Sequence, residues 1–375
     1  MSPLMIINLD IIRFREAINT LLSVVDKKNT RPILGYIHFS ASSSKLILTA
    51  TDLEVSAKII LDADVQGEGS FCVNGKNLFD IVRELPNQNL VLSVNDKTNT
   101  LNLNCALIEY SLLILGPDDF PKIDFQSSLP TFEINSAKLR ELISKTSHAI
   151  SNDETRIYLN GIFLQEVNSR LRAVATDGHR LSLYEMDFDD KQKIDALING
   201  VIIPKKGVYE LKRMAETDLS SIKIALDESF LLLNSSENYF LSIRLISREY
   251  PKYQAVIPSR TSFKLITDKN LLFNAVKRIK IMANEKSNGV RIKISSKELV
   301  ITANHPSLGN AQEKMDVNYD GKEMVIGFNA KYLMETLSAL DEGEVSFELN
   351  NELSPVIVKS DQHPNYLGIV MPLKL

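Results

Sequence analysis

Tryptophan is missing from this chain, and cysteine occurs at two positions, Cys72 and Cys105, among 375 residues. Two thiols cannot frame a disulfide scaffold and suit a reducing compartment, so a cytoplasmic setting is expected. The five histidines (His38, His148, His179, His305, His363) are scattered, and no spacing resembles a zinc site, so no metal is expected. No phosphate loop, Gly-x-Ser-x-Gly elbow or dinucleotide fingerprint is present, and nothing implies a cofactor. Apolar runs last only a few residues, too short to span a bilayer, so no membrane partner is expected. The opening "MSPLMIINLDIIRF" lacks a basic region ahead of an apolar core, and export is not expected. Positive charge is also short: 43 Lys and Arg face 47 Asp and Glu, a net −4. Spread evenly, that balance would argue against nucleic acid, because phosphate binding is driven by Lys and Arg.

What is present is a well-packed composition, 44% hydrophobic and 24% charged, in a chain long enough for two or three domains. It repeats itself three times. "MIINLDIIRFREAINTLLSVV", "FEINSAKLRELISKTSHAI" and "FKLITDKNLLFNAVKRIKIMA" each read as strand, polar cap and amphipathic helix. Ser136 and Asp268 are the expected N-caps of the second and third. With Phe14, Leu139 and Leu272 as anchors, a strand–turn signal ends at Asp52, Asp177 and Asn304, which lie 38, 38 and 32 residues on. A second helix follows through Leu78, Val208 and Leu333, and a last apolar strand begins at Tyr110, Phe240 and Tyr366. Four landmarks in one order, three times, exclude coincidence. The intervening segments alternate in the β manner, as in "KLILTATDLEVSAKI". The fold class is therefore α+β, three repeated domains of two helices plus antiparallel sheets. "DFPKIDFQSSLP" and "SREYPKYQAVIPSR" have linker composition. They place the domains at 1–129, 130–258 and 259–375.

The charge is not spread evenly. Six helix windows (10–25, 74–85, 136–150, 204–215, 268–283 and 329–340) hold 16 basic and 8 acidic residues, leaving 27 basic and 39 acidic elsewhere. Such helices, facing one way, make a positive surface inside an acidic protein. That surface suits sequence-independent attraction to phosphates, with no base-reading motif beside it.

"ATDGHRL", Ala175 to Leu181, crowds an acid, an imidazole and a guanidinium together. An enzyme would use Asp177 and His179 as an acid–base pair, yet no nucleophile, metal ligand or phosphate loop accompanies them. "ATD" recurs at Asp52 without a histidine, which points to a structural aspartate that satisfies backbone N–H groups. A purely protein-binding repeat scaffold is the other rival, and the helix charge bias argues against it.

Together with "VIIPKKGVYEL", "IGFNAKYL" and the terminal "VMPLKL", this stretch and the threefold repeat make the whole chain resemble the bacterial DNA polymerase III beta subunit, the replicative sliding clamp. The resemblance implies a head-to-tail homodimer closing into a ring of six similar domains, helices inside and sheets outside. It implies a non-catalytic processivity factor that encircles double-stranded DNA without reading sequence. Implied protein partners are the polymerase III alpha subunit, the clamp loader through its delta subunit, and other polymerases and repair proteins carrying short linear motifs.

The resemblance places Lys28, Lys76, Arg156, Lys205, Lys206, Arg278 and Lys286 near DNA. It implies a partner-peptide cleft between the second and third domains at Leu159, Thr176, Gly178, His179, Arg180, Leu181, Pro251, Val256, Tyr332, Leu353, Ile369, Met371, Pro372 and Leu373. There the aliphatic residues and Met supply apolar burial, His179 and Arg180 rim donors, and Gly178 a turn closed to residues bearing Cβ. Ala255 and Pro355 depart from the family pattern, which often has Arg and a small polar residue there, and they affect peptide preference. The matching dimer edges are Tyr110 and Leu112 in the first domain, Ile281 and Met282 in the third.

Overall fold

The computed structural model describes residues 5–25, 31–95, 97–125, 129–188, 195–217, 220–235 and 238–374. Lys28 lies outside them. Seven α-helices occur among the described residues: α1 (Ile11–Leu22), α2 (Gly75–Val82), α3 (Ser136–Thr146), α4 (Asp195–Asn199), α5 (Lys205–Thr217), α6 (Lys269–Ile279) and α7 (Ala330–Ser338). All but the short α4 coincide with the windows expected from the repeats.

Helix starts follow their polar caps. Asp10 Oδ1 accepts from the Ile12 and Arg13 N–H groups, Asn74 caps α2, Asp268 caps α6 through Leu271 N–H at 2.8 Å, and Asn329 caps α7. The expectation for Ser136 fails. It is already the first helical residue, its Oγ is buried without a partner, and Asn135 Oδ1 takes the Ala137 N–H at 2.9 Å instead. Asparagine caps as well as serine and here stands one residue earlier, at the end of the strand.

Each helix buries one stripe. α1 buries Ile11, Phe14, Ala17, Ile18 and Leu21, a three-and-four spacing that presents one face to a sheet. The six landmark residues Phe14, Leu78, Leu139, Val208, Leu272 and Leu333 are all buried. Each such side chain contributes about 2 kcal/mol over exposure, which is why the helices hold their register on the sheets.

Two compact units result. Residues 1–137 and 209–245 form the first, around a continuous 13-stranded antiparallel sheet. Its strands from the first repeat join those from the second where Val55–Asp62 pairs with Tyr239–Arg244, Ala57 opposite Leu241. Residues 138–208 and 246–375 form the second unit, with a nine-stranded and a four-stranded sheet. The nine-stranded sheet makes the matching join between the second and third repeats: Arg180–Asp187 pairs with Tyr366–Val370, Leu181 opposite Ile369. The second repeat thus contributes strands to both units. No helix among the described residues is long and apolar enough to cross a membrane.

Candidate functional site

In the second unit the "ATDGHRL" turn leads into the join between repeats. Asp177 Oδ1 accepts from the His179 and Arg180 N–H groups at 2.9 and 3.0 Å, and Thr176 Oγ1 takes the Gly178 N–H at 3.1 Å while donating to the Arg180 carbonyl at 2.6 Å. The aspartate is a turn-former, as its recurrence at Asp52 implies. Its carboxylate is spent on backbone N–H groups and on Arg180 Nε at 3.2 Å, so no acid–base pair with His179 forms.

The turn needs a positive φ, +88° at Gly178, where an added Cβ would come 3.0 Å from the Arg156 guanidinium. It is not closed to residues bearing Cβ in general, because Leu53 takes the same place in the first repeat at φ +77°. An L side chain held there costs about 1 kcal/mol.

Arg180 organises the region around the turn. It is 7% exposed, paired with Asp177 behind and with Glu335 from α7 in front, and its guanidinium lies 4.4 Å over the Tyr332 ring. The His179 ring stacks 6.2 Å from that ring. A buried cation with two carboxylates and an aromatic face is satisfied, and removing any one partner strands the rest. Burial first, then the Asp177 charge, raises the Tyr332 phenol pKa, so its hydroxyl stays neutral.

Below the turn lies an apolar floor. Leu159, Leu181 and Ile369 form one buried cluster with Val174, Ile202, Tyr250 and Tyr253. The C-terminal tail crosses beside it: Met371 N–H donates to the His179 carbonyl at 2.9 Å and Leu373 N–H to the Gly327 carbonyl at 2.8 Å. Met371, Pro372 and Leu373 are half-buried, and Val256 is 46% exposed at the end of a short 3-10 turn whose Tyr253 N–H binds the Pro251 carbonyl. The structure therefore brings together Leu159, Thr176, Gly178, His179, Arg180, Leu181, Tyr332, Ile369, Met371, Pro372 and Leu373. Pro251 and Val256 join through the Tyr253 turn. Leu353 is 63% exposed on a turn in which its N–H binds Asn351 Oδ1.

Sequence reading missed Glu335, Tyr250 and Tyr253. Glu335 follows Tyr332 by one helical turn, the spacing that puts both on one face of α7. The two tyrosines were masked by the linker composition around them. Tyr253 accepts from Arg172 at 3.1 Å, a partner 81 residues away.

The described basic residues expected near DNA are divided between the two units. Lys76 is exposed on α2 in the first unit. In the second, Lys205 and Lys206 open α5, with the Lys205 ammonium on Asn152 Oδ1. Arg278 ends α6 in a bidentate pair with Glu313, whose carboxyl it holds below the usual range. Lys286 is exposed in the loop beyond. Arg156 points into the turn: its Nη2 binds the Asp177 carbonyl at 3.1 Å and its Nε binds Asp153 at 2.7 Å. Hydrogen bonds from Thr155 and then Arg156 hold Asp153 near a pKa of about 2.

His148 follows α3 with both ring nitrogens buried and unpartnered. Burial, then the Arg180 charge, pushes its pKa from 6.5 down to about 3. Between those values the unfolded chain binds a proton that the folded one refuses, so stability falls as pH drops from 6.5 toward 3. In urea titrations at pH 7 and pH 4.5, His148→Leu is expected to lose about 2 kcal/mol less than the parent. Equal losses would contradict this account.

Residues 5–124, 133–252 and 254–374 match, in order, the N-terminal, central and C-terminal domains of the DNA polymerase III beta subunit. The chain is similar to the beta sliding clamp of Pseudomonas aeruginosa, 31% identical over 94% of this chain and 95% of that one. It is also similar to that of Proteus mirabilis, 34% identical over 92% and 93%. Among solved structures, a beta sliding clamp from Caulobacter crescentus superposes with a TM-score of 0.93 at 30% identity, covering 100% of both chains. A clamp from Bartonella birtlesii, solved bound to griselimycin, gives 0.93 at 30% identity over 99% and 100%. Three consecutive domain matches and these whole-length likenesses place the chain in the DNA polymerase III beta subunit family, the DNA sliding clamps, non-catalytic processivity factors of replication.

Proposed function

We propose that two copies of this chain close head to tail into a ring around duplex DNA, each built from domains 1–129, 130–258 and 259–375. The observation that carries this reading is a pair of open sheet edges on the first and third repeats. Strand Ile108–Leu115 pairs through Ile108–Leu113 with Thr100–Cys105, and among the described residues its other side meets Gly69–Asn74 only through Ile114 and Leu115. Its open part carries Tyr110 at 41% and Leu113 at 79% exposure, next to the fully exposed Leu107. Strand Gly309–Asp316 is a terminal strand of the four-stranded sheet, and nearby Leu308 and Ile281 are 64% and 73% exposed. Unpaired strand edges with apolar side chains are stable only when covered, and two different edges on one chain give a heterologous contact that closes by rotation. Tyr110 and Leu112 on one copy then face Ile281 and Met282 on the other.

The helices, twice as rich in basic as in acidic residues, would supply the DNA-facing surface through Lys76, Lys205, Lys206, Arg278 and Lys286, with Lys28 by resemblance alone. Arg156 belongs instead with the peptide cleft, given its bonds to the turn. The cleft would take short linear peptides from the polymerase alpha subunit, the loader's delta subunit and other polymerases and repair proteins, in the cytoplasm. An apolar floor with the exposed His179 at its rim, and with Arg180 buried against Asp177 and Glu335 rather than free to donate, suits a peptide with aliphatic anchors beside carbonyl groups. Ala255 and Pro355 would tune which peptide is preferred.

Replacing Lys205, Lys206 and Arg278 with Glu tests the DNA surface. Loading on primed circular DNA should fall about tenfold or more and the salt dependence flatten, because three phosphate contacts are lost. Thermal melting should change little, since Arg278 is exposed and the two lysines are only half-buried, so the substitutions remove surface contacts and no core packing. Parent-like loading would sink the assignment.

A further inference from the structure

The turn described above has a twin in the first repeat. Asp52 Oδ1 accepts from the Glu54 and Val55 N–H groups at 3.0 and 2.7 Å, and Thr51 Oγ1 takes the Leu53 N–H at 2.9 Å. Bond for bond this is the Thr176–Arg180 arrangement, and it too opens a strand that pairs with the last strand of the following repeat. Beside it, between the strands and the Pro121–Asp124 segment, lies a groove of about 520 Å³. Leu53, Ile123, Leu129, Phe230 and Leu232 supply its apolar lining. Leu53 and Phe230 are 43% and 42% exposed.

Leu53 is the informative residue. Glycine or asparagine would take φ +77° with little strain, whereas leucine is held there at a cost and its side chain remains in water. The turn geometry alone does not require leucine. An apolar group at the mouth of an apolar groove is what an exposed recognition surface needs.

The residues that follow the turn differ from those at its twin. Where the second repeat has His179 and Arg180, the first has Glu54, which is exposed, and Val55. Glu54, Asp124 and Asp227 stand around the groove with Lys122 and with Lys58, whose ammonium lies over the Phe125 and Phe240 rings within reach of the Asp124 charge, which leaves one carboxylate in excess. We propose that this groove is a second docking site, for a short extended peptide whose aliphatic or aromatic anchor is flanked by lysine or arginine. The peptide class rests on the reading of the cleft above, while the groove and its acidic rim stand on their own. An acidic rim disfavours phosphate-bearing ligands and selects basic flanks by complementarity, and the lining has room for one or two large apolar side chains.

The test uses the full chain and two labelled probes, Lys-Lys-Ser-Leu-Phe-Ser-Lys-Lys and the same peptide with aspartate for every lysine. By fluorescence anisotropy the basic probe should bind at least about tenfold tighter than its acidic counterpart, the range expected for a few complementary charges around an apolar anchor. Leu53→Ser with Phe230→Ser should weaken it by a similar factor. Both positions are exposed, and an unchanged melting curve verifies the fold. Truncation after Val370, which damages the cleft, should leave the basic probe bound, so failure of the cleft reading and failure of this one are distinguishable. A benzophenone in place of the probe's phenylalanine should crosslink to the Pro121–Asp124 or Phe230–Leu232 segments. Equal binding of both probes, crosslinks confined to residues 176–181 or 369–373, or no binding at millimolar probe would each overturn the proposal.

Discussion

A chain truncated after Val370 is expected to lose partner-peptide binding by about 100-fold or more while still sedimenting as a dimer. The tail beyond Val370 is fastened by two backbone hydrogen bonds, Met371 to the His179 carbonyl and Leu373 to the Gly327 carbonyl. They connect the second repeat's turn to the third repeat's sheet, so in the proposed cleft the tail would form one wall. Losing the apolar surface of Met371 and Leu373 removes about 1.5–3 kcal/mol per side chain of potential burial, and two such contacts account for the expected factor. The fold tolerates the loss because the sheet ends at Val370, which keeps its pairing with Arg180 and Val356. Anisotropy of a labelled polymerase peptide gives the affinity, and sedimentation gives the mass. Binding within a few-fold of the parent would show that the tail is only a closing strand.

Ile281→Glu should yield a folded monomer. Ile281 is 73% exposed in the single chain, so the substitution costs the isolated fold almost nothing. In a seam against Tyr110 and Leu112 the same carboxylate would be buried without a partner, at a cost of several kcal/mol per site. A ring of two chains has two such seams, and the penalty is paid at both. Sedimentation at micromolar concentration should give the mass of one chain, with a melting curve close to the parent's. A dimer of unchanged mass would move the seam elsewhere; an unfolded chain would make Ile281 a core residue, against its exposure.

Much of this architecture is legible without coordinates because it is local. Helix windows follow from apolar spacing, and Asp268 reads as a cap because a carboxylate before an apolar-periodic run has one good use. Ser136 misleads because Asn135 beside it does the same chemistry from a better place. What is not local is harder to see. The pairing of Val55–Asp62 with Tyr239–Arg244 joins residues about 180 apart in sequence, and nothing in either strand names the other. Arg156 shows the same limit: its charge invites a phosphate, but its bonds to Asp153 and the Asp177 carbonyl are set by the turn it packs against. Glu335 is invisible as a site residue until Arg180 is found against it. Leu53 reads as an ordinary apolar residue until its φ is known.

The ring is tested most directly by its topology. Chains loaded onto a circular duplex should remain bound through gel filtration at a salt concentration that abolishes ordinary phosphate attraction, and should be lost within minutes once a single cut linearises the circle. Equal retention before and after cutting, or loss from the closed circle as salt is raised, would mean that contacts rather than encirclement hold the DNA, and the account would fail.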